Sequence, residues 1–559
     1  VLSAGNRQMD AGAPHTGYPH RLPRPCDNGD GRSVPERQET MRATRKRRLP
    51  ALLAAVLIFA LAAGCGGRTT PASSTASEGR ELVDSRETWP EESAGAVSSS
   101  GETDPSSPTS AASGPTQPGR TTAKTTASAK PPSGKPTSGE STPSSSGAIT
   151  NGSYPPLGKN IMPIGAWVAP PRAGVKNNNP SFINDAQYKM LRDSGINLIY
   201  GLYETANDQL DDVQKSLDLC QKYGIKYLVR DSNTNEPDEE LMRAALKKYA
   251  KHPAFAGLKV QDEPGVNSFE RFGDAHPIFQ KLLPDKYFYI NLLPSYSTPA
   301  QLQYGAATTQ TSGSITFEQY LDAYIKTVKP KFLSYDYYAL TEKKDFIQTG
   351  YFNELSTFRK LGLKNNIPYW VFIQACSFNS LTRRPNEAEI LWQVNTSLAY
   401  GAKGIQYFCY FTPIEDDIFQ GNFIDKNGNK TEIYAYGQKA NRQIAAVDDV
   451  LMNSVSKGVI VTGTSPDPSI PAADTLTKYG ALTGVSHSGA AFLTGCFDYG
   501  GKNAFYVVNN SITQSGTVTL RFEKSVSGSR VIDGAKTTFS GSSLSLTLKA
   551  GEGALITLS

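Results

Sequence analysis

The sequence predicts an α/β fold: a (β/α)8 TIM barrel followed by a small C-terminal β-sandwich, behind a disordered N-terminal third. Three observations carry this. Between about Ile161 and Ser454, eight short β-rich apolar runs alternate with amphipathic helical stretches, the pattern of a parallel sheet covered by helices. From Lys457 onward the helical period gives way to short alternating strands. Residues 66–153 are Ser, Thr, Pro, Gly and Ala with few large apolar side chains, so they bury too little surface to fold.

In chain order, residues 1–40 are rich in Arg, Pro, Gly and Asp without apolar periodicity and read as a non-native or disordered extension ahead of Met41. Residues 41–64 read as an export signal: Arg42, Arg45, Lys46, Arg47 and Arg48, then an apolar body from Leu49 to Leu61, then small residues. That body is too short and wrongly flanked for a membrane span. Leu61-Ala-Ala-Gly-Cys65 resembles a bacterial lipobox, with Leu61 one place earlier than the commonest pattern. The resemblance implies removal of the signal and lipidation of Cys65, and with it anchorage to the outer face of the cytoplasmic membrane. Residues 65–153 then serve as an extended tether.

Charge follows the same division. Residues 1–64 hold ten Lys or Arg and five Asp or Glu, which accounts for the whole chain's net +5 and leaves the remainder formally neutral. No basic stripe is left for nucleic acid. Cys220, Cys376, Cys409 and Cys496 are widely spaced and form no Cys-x-x-Cys clip, which argues against structural zinc. Cys376 and Cys409 fall near the ends of neighbouring strands, where a disulfide and two buried thiols are both open readings.

The barrel strands are read as Ile161 to Trp167, Leu198 to Tyr203, Lys226 to Arg230, Gly257 to Gln261, Tyr287 to Leu292, Phe332 to Tyr338, Pro368 to Gln374 and Gly404 to Tyr410. Helices lie between them. Leu210 to Tyr223 presents Leu210, Val213, Leu217 and Cys220 on one face, and Glu239 to Ala250 presents Leu241, Ala244, Leu246 and Tyr249. About 300 residues suit one barrel, placed at 154–456. A doubly wound open sheet is the alternative, but no Gly-x-Gly-x-x-Gly follows the first strand. Residues 457–559 form the sandwich, with strands at Gly458–Val461, Ala490–Leu493, Ala504–Val508, Thr517–Phe522 and Gly553–Leu558. Such an appendage either binds sugar or packs on the barrel, and packing is the commoner role.

The chemistry concentrates in Phe255-Ala-Gly-Leu-Lys-Val-Gln-Asp-Glu-Pro-Gly265, where an apolar strand runs into two carboxylates and a proline-glycine break. Strand ends form the active face of a parallel barrel, so Asp262 and Glu263 are expected there. The competing reading makes one of them a cap for a helix starting near Ser268.

From Ile161 to Ser559 the chain resembles glycoside hydrolases built on a barrel followed by a β-sandwich. Glu263 in Val260-Gln-Asp-Glu-Pro264 matches the strand-four acid/base of the retaining barrel superfamily, and Ser334-Tyr-Asp-Tyr-Tyr338 is similar to the strand-six segment of chitinase-type barrels. The departures are equally specific. Gln374 stands where the retaining superfamily has its nucleophilic glutamate, and Lys259 and Gln261 replace the chitinase aspartate series. The resemblance implies Glu263 as acid/base with Asp336 or Asp262 as partner. In the second case an Asp-Glu pair of the hexosaminidase kind would orient the substrate's own acetamido group.

Trp167, Tyr203, Glu204, Asp231, Asn291, Tyr337, Tyr338, Trp370, Gln374 and Tyr410 are the expected sugar-binding residues, with Tyr296 and Phe411 as further aromatics near strand ends. Glu415-Asp416-Asp417 reads as a solvated loop. No metal or organic cofactor is expected. The expected protein is a monomeric, exported, lipid-anchored carbohydrate hydrolase, and the alternative is a glycan-binding lipoprotein that keeps the barrel without turnover.

Overall fold

The structure, a computed structural model, describes residues 156–158, 160–378, 380–415 and 417–559. The expectations for the extension, the signal, Cys65 and the tether lie outside these residues.

The first part of the described chain runs β1 (Ile164–Trp167), α1 (Asp185–Asp193), β2 (Leu198–Tyr200), α2 (Leu210–Tyr223), β3 (Lys226–Val229), α3 (Glu239–Leu246), β4 (Phe255–Asp262), α4 (Phe269–Leu282) and β5 (Tyr287–Asn291). It continues with α5 (Pro299–Tyr304), α6 (Phe317–Val328), β6 (Leu333–Asp336), α7 (Tyr351–Asn365), β7 (Tyr369–Gln374), α8 (Glu387–Tyr400), β8 (Gly404–Phe408), α9 (Glu432–Ala445) and α10 (Asp448–Met452). The eight strands are ordered β5-β4-β3-β2-β1-β8-β7-β6, and a parallel bridge between Leu292 and Tyr335 closes the ring. This is the expected barrel.

Local chemistry sets the helix boundaries. Asn184 and Asp238 cap α1 and α3 through side-chain oxygens, while Thr316 with Gln319 and Asn386 with Glu389 form capping boxes on α6 and α8. The Asp238 cap fixes the phase of α3 differently from the expectation. Met242, Ala245 and Leu246 face inward, and Leu241 is 37% exposed.

Strand register decides which side chains fill the barrel. Tyr200 of β2, Tyr289 of β5, Ser334 of β6 and Gln406 of β8 meet inside. Tyr200 and Tyr289 both donate to Gln406 Oε1, at 2.5 and 2.7 Å, and Gln406 Nε2 donates to Ser334 Oγ at 2.9 Å. A Cβ on Gly165 would collide with the Tyr200 hydroxyl, so β1 carries glycine at this level. Below them Trp370 stacks on Phe332 at 4.3 Å and meets Tyr287 edge-on, forming an aromatic floor.

The second part comprises β9 (Ser454–Thr462), β10 (Leu482–Gly489), β11 (Phe492–Tyr499), β12 (Lys502–Asn509), β13 (Gly516–Ile532), β14 (Ala535–Leu548) and β15 (Gly553–Leu558). The strands are antiparallel and hydrogen-bonded as one sheet ordered β10-β13-β15-β12-β11-β9, with β14 on β13. The early half of β13 pairs with β10 and its late half with β15, across a register shift after Arg521. The two halves enclose a core that includes Phe492, Phe505, Leu520, Leu546 and Ile556. β10 and β14 escaped the sequence reading because they are rich in Ser, Thr and Gly, although Leu544, Leu546 and Leu548 at the end of β14 alternate as a half-buried strand should.

Candidate active site

At the carboxyl ends of the strands, register again selects the side chains. Tyr200 pairs with Leu228, which sets Leu228 and, two residues on, Arg230 toward the interior. Lys259 pairs with Tyr289 and Asp262 with Asn291, so both residues of β4 face inward despite their odd spacing. A bulge between Lys259 and Gln261 makes this possible by adding one residue to the strand. Simple alternation would have turned Asp262 away.

Glu263 completes the turn. Its φ of 46° places a non-glycine residue in the left-handed region, a strained conformation typical of functional sites. The backbone is tied on both sides: Glu263 N–H donates to the Asn291 carbonyl at 2.9 Å, and the Glu263 carbonyl accepts from Ala306 N–H at 3.1 Å. Tyr320 donates its hydroxyl to the Pro264 carbonyl at 2.9 Å. Gly265 touches the Tyr304–Gly305 backbone so closely that a Cβ would clash with it. Helix α4 begins at Phe269 with no side-chain cap from Ser268, and neither Asp262 nor Glu263 serves as its cap. The helix-cap reading of the motif is thereby removed.

Glu263 and Asp336 lie side by side, 8% and 4% exposed. Their carboxyl groups interact directly, and Asp336 Oδ1 has no donor from any other described residue. Two acids in contact hold a proton between them. Burial, then the charges of Asp336 and Asp262, raise the Glu263 carboxyl well above its ordinary range. Burial and then the Asp262 charge raise Asp336 to about 7. The proton belongs on Glu263, with Asp336 as acceptor. Asp262 is also raised by burial, which the charges of Lys259 and Arg230 and a hydrogen bond with Asn291 oppose.

Around this group lie Trp167, whose ring carries Lys259 Nζ at 3.8 Å from its centroid, and Tyr338, which interacts with Asp336 and packs 5.5 Å from Phe408. Tyr296 feels the charges of Asp336 and Glu263 and stands edge-on to Tyr337 at 5.1 Å. Asn291 Oδ1 accepts from Ser334 Oγ at 2.9 Å, which links the mouth to the polar layer beneath. The structure thus brings together Trp167, Asp262, Glu263, Asn291, Asp336 and Tyr338 of the expected residues.

Others are placed elsewhere. Trp370 belongs to the aromatic floor, and Tyr410 lies fully buried 5.8 Å from Phe423, on the side of the helices; neither faces the mouth. Phe411 packs on Phe182 at 4.8 Å. Tyr337 points its hydroxyl at the Thr349 carbonyl, 2.9 Å away. Gln374 is wholly occupied: Oε1 accepts from Leu340 N–H at 3.0 Å, and Nε2 donates to the Leu340 and Arg383 carbonyls, each at 3.0 Å. It splices two strand-end loops rather than offering its amide to a ligand. Asp231 caps a short turn through Asn233 N–H and accepts from the Tyr249 hydroxyl at 2.8 Å. Glu204 accepts from the Tyr227 hydroxyl and neighbours Tyr188 and Cys220, in the layer between strands and helices. Tyr203 donates to Glu415 at 2.5 Å, and Asp417 pairs with Lys426 on the exposed loop; Asp416 lies outside the described residues. Cys376 and Cys409 are buried free thiols, and Cys409 Sγ donates to Asn422 Oδ1 at 2.8 Å. No group of three metal-ligating side chains occurs among the described residues.

Arg230 and Glu354 were not singled out from the sequence, and Lys259 was noted only as a departure from the chitinase pattern. The β4 bulge hides the direction of Lys259, and Glu354 reaches the site region only through a helix that packs behind β6: it feels the charge of Asp336 and accepts from Ser295 N–H at 3.0 Å.

The fold and this carboxylate cluster define a parallel barrel with a built strand-end site. A scan against protein-family models gives no match, and a search of curated proteins gives none. Among solved structures, a glucosidase from Croceicoccus marinus is 9% identical over 72% of this chain and 95% of its own, with a TM-score of 0.36. An endo-beta-1,4-mannanase from Thermotoga petrophila is 10% identical over 70% and 99%, at 0.34. An endoglucanase from Pseudomonas stutzeri is 13% identical over 51% and 93%, at 0.33. Likeness at this level carries no argument about activity; the barrel is read from the chain's own strand ladder.

Proposed function

We propose that the protein is a glycoside hydrolase, with Glu263 as acid/base and Asp336 as its partner. The observation that carries this is the burial of the two acids together at the strand ends, where each acts on the other and the Glu263 carboxyl is held well above its ordinary range. In the first step Glu263 gives its proton to the leaving glycosidic oxygen while Asp336, ionised, attacks the anomeric carbon. Glu263, now a carboxylate, then takes a proton from water, and the hydroxide formed displaces Asp336 from the sugar. The nearness of the two acids favours retention, whose carboxyl pairs stand about 5–5.5 Å apart, over inversion, whose pairs stand roughly 6.5–9.5 Å apart. Tyr296 and Tyr338 supply flat faces for sugar rings, and Asp262, held by Asn291, positions the substrate.

A panel of aryl glycosides and wall polysaccharides tests the reading. Turnover that disappears in Glu263→Gln with binding intact supports it, as does a product whose first-formed anomer, read by NMR, matches that of the substrate. Binding without turnover across the panel would convert the protein to a glycan-binding one. We also propose export and lipidation at Cys65, followed by carriage of a monomeric barrel on the Ser/Thr/Pro tether. Metabolic labelling with a fatty acid, lost in Cys65→Ser, checks this.

A further inference from the structure

The mouth of the barrel holds two cations beside its acids. Lys259 is 8% exposed, yet Nζ rests over the Trp167 ring and has no hydrogen-bond acceptor among the described residues. An ammonium has three donors, and the residual exposure of Lys259 leaves them open to whatever enters the mouth. Arg230, one strand away, spends one nitrogen on the Leu202 carbonyl at 2.9 Å. Asp262, which also hydrogen-bonds Asn291, is the carboxylate that acts on Lys259, and it acts on Arg230 after Glu204. Arg230 is drawn first to Glu204 and then to Asp262, so what is left for a ligand on this side is not a surplus of charge but the ammonium donors of Lys259, which have no acceptor among the described residues. The lysine also lies on the aromatic face where a neutral ring would otherwise stack, so it meets whatever enters beside Trp167.

We infer that Lys259, backed by Arg230, receives the carboxylate of an acidic sugar, so that the unit bound beside Trp167 is a uronic acid. This rests on the glycosidase reading for its catalytic consequence but not for its binding one. A uronate carboxylate would take the free ammonium donors as charge-assisted hydrogen bonds, stronger than those to a neutral hydroxymethyl group. Burial lowers the Lys259 amine to about 7, so ligand charge would also hold the proton on it.

The test uses the full chain and free monosaccharides, so that binding is read apart from chemistry. By calorimetry, glucuronate or galacturonate should bind at least about tenfold more tightly than glucose or galactose, a ratio kept in Glu263→Gln. Lys259→Met should abolish the ratio and Lys259→Arg should restore most of it; if Lys259→Met fails to fold, the wild-type ratio and the arginine variant still decide. Glucose 6-sulfate tied with glucuronate would overturn the carboxylate assignment. Equal binding or equal turnover of neutral and acidic glycosides would overturn the inference and leave the glycosidase reading standing. Uronate-selective binding without any turnover would sustain the site and sink the glycosidase reading.

Discussion

Glu263 is an acid whose proton depends on its neighbours. After burial, the largest influence holding it protonated is the charge of Asp336. Asp336→Asn removes that charge, so the Glu263 titration should move to lower pH while burial keeps it above the ordinary 4.5. Carbon-13 NMR of carboxyl-labelled glutamate reads this directly, and an unmoved titration would show that the two acids do not share a proton. Glu354 gives a stability counterpart. Its carboxyl is raised from 4.5 to about 8 by burial, and Oε2 has no hydrogen-bond partner among the described residues. Below about 4.5 both folded and unfolded chains hold its proton. From there to about 8 only the folded chain does, so folding stability falls as pH rises, at up to about 1.4 kcal/mol per pH unit for one group. Glu354→Gln retains an acceptor for Ser295 N–H and removes that slope. Urea unfolding at pH 5 and pH 9 should show wild type losing more stability than the variant; equal losses would place the Glu354 titration in its ordinary range.

The elements show what alternation reveals and what it hides. The eight barrel strands were legible to within a few residues because each is a short apolar run between turn signals, and Glu263 and Asp336 were legible because strand ends are where such carboxylates act. The bulge in β4 was not legible. It depends on pairing with β5, and it sends Lys259 and Asp262 to the same side. Gln374 shows the opposite limit: its position at the end of β7 was read correctly, but its role depends on two loops that arrive from elsewhere. Those loops are locked further by Arg383, which pairs with Glu389 at 2.6 Å and donates to the Thr341 and Phe346 carbonyls. Restoring an acid by Gln374→Glu should therefore not restore a nucleophile. It would set a carboxylate against the carbonyls of Leu340 and Arg383 and destabilise the chain by about 2–4 kcal/mol. Urea unfolding measures the loss, and a gain of turnover in the variant would return residue 374 to the catalytic mouth.

At the scale of the whole molecule, the sheet that follows the barrel covers a helix that has no water-facing side. In α8 only Glu387 and Ala388 escape full burial, so the usual polar stripe of a barrel helix is missing. The contacts are specific. Trp392 Nε1 donates to Asn510 Oδ1 at 2.8 Å, Asn395 Nδ2 donates to the Gly551 carbonyl at 2.8 Å, and the Tyr506 hydroxyl donates to Asn395 Oδ1 at 2.8 Å. Gly495 lies so near the Ala399 carbonyl that a Cβ would overlap it. A second tie joins α7 to β9 and the segment after it: Arg359 donates to Ser456 Oγ at 2.8 Å and pairs with Asp474 at 3.1 Å, with 8% and 1% of these two side chains exposed. Removing 457–559 would strand Arg359 without its carboxylate and open the sheet-facing side of α8 to water, which argues that the sheet supports the barrel rather than acting as a detachable module. A chain ending at 456 should consequently fail to refold into a soluble barrel, and the intact chain should unfold in one transition seen alike by near-UV circular dichroism and by calorimetry. A soluble, cooperatively folded 154–456 fragment would make the two parts independent. Asn510→Ala provides the milder measure, because it leaves the fold in place and removes one buried partner of Trp392, for an expected loss of about 1–3 kcal/mol.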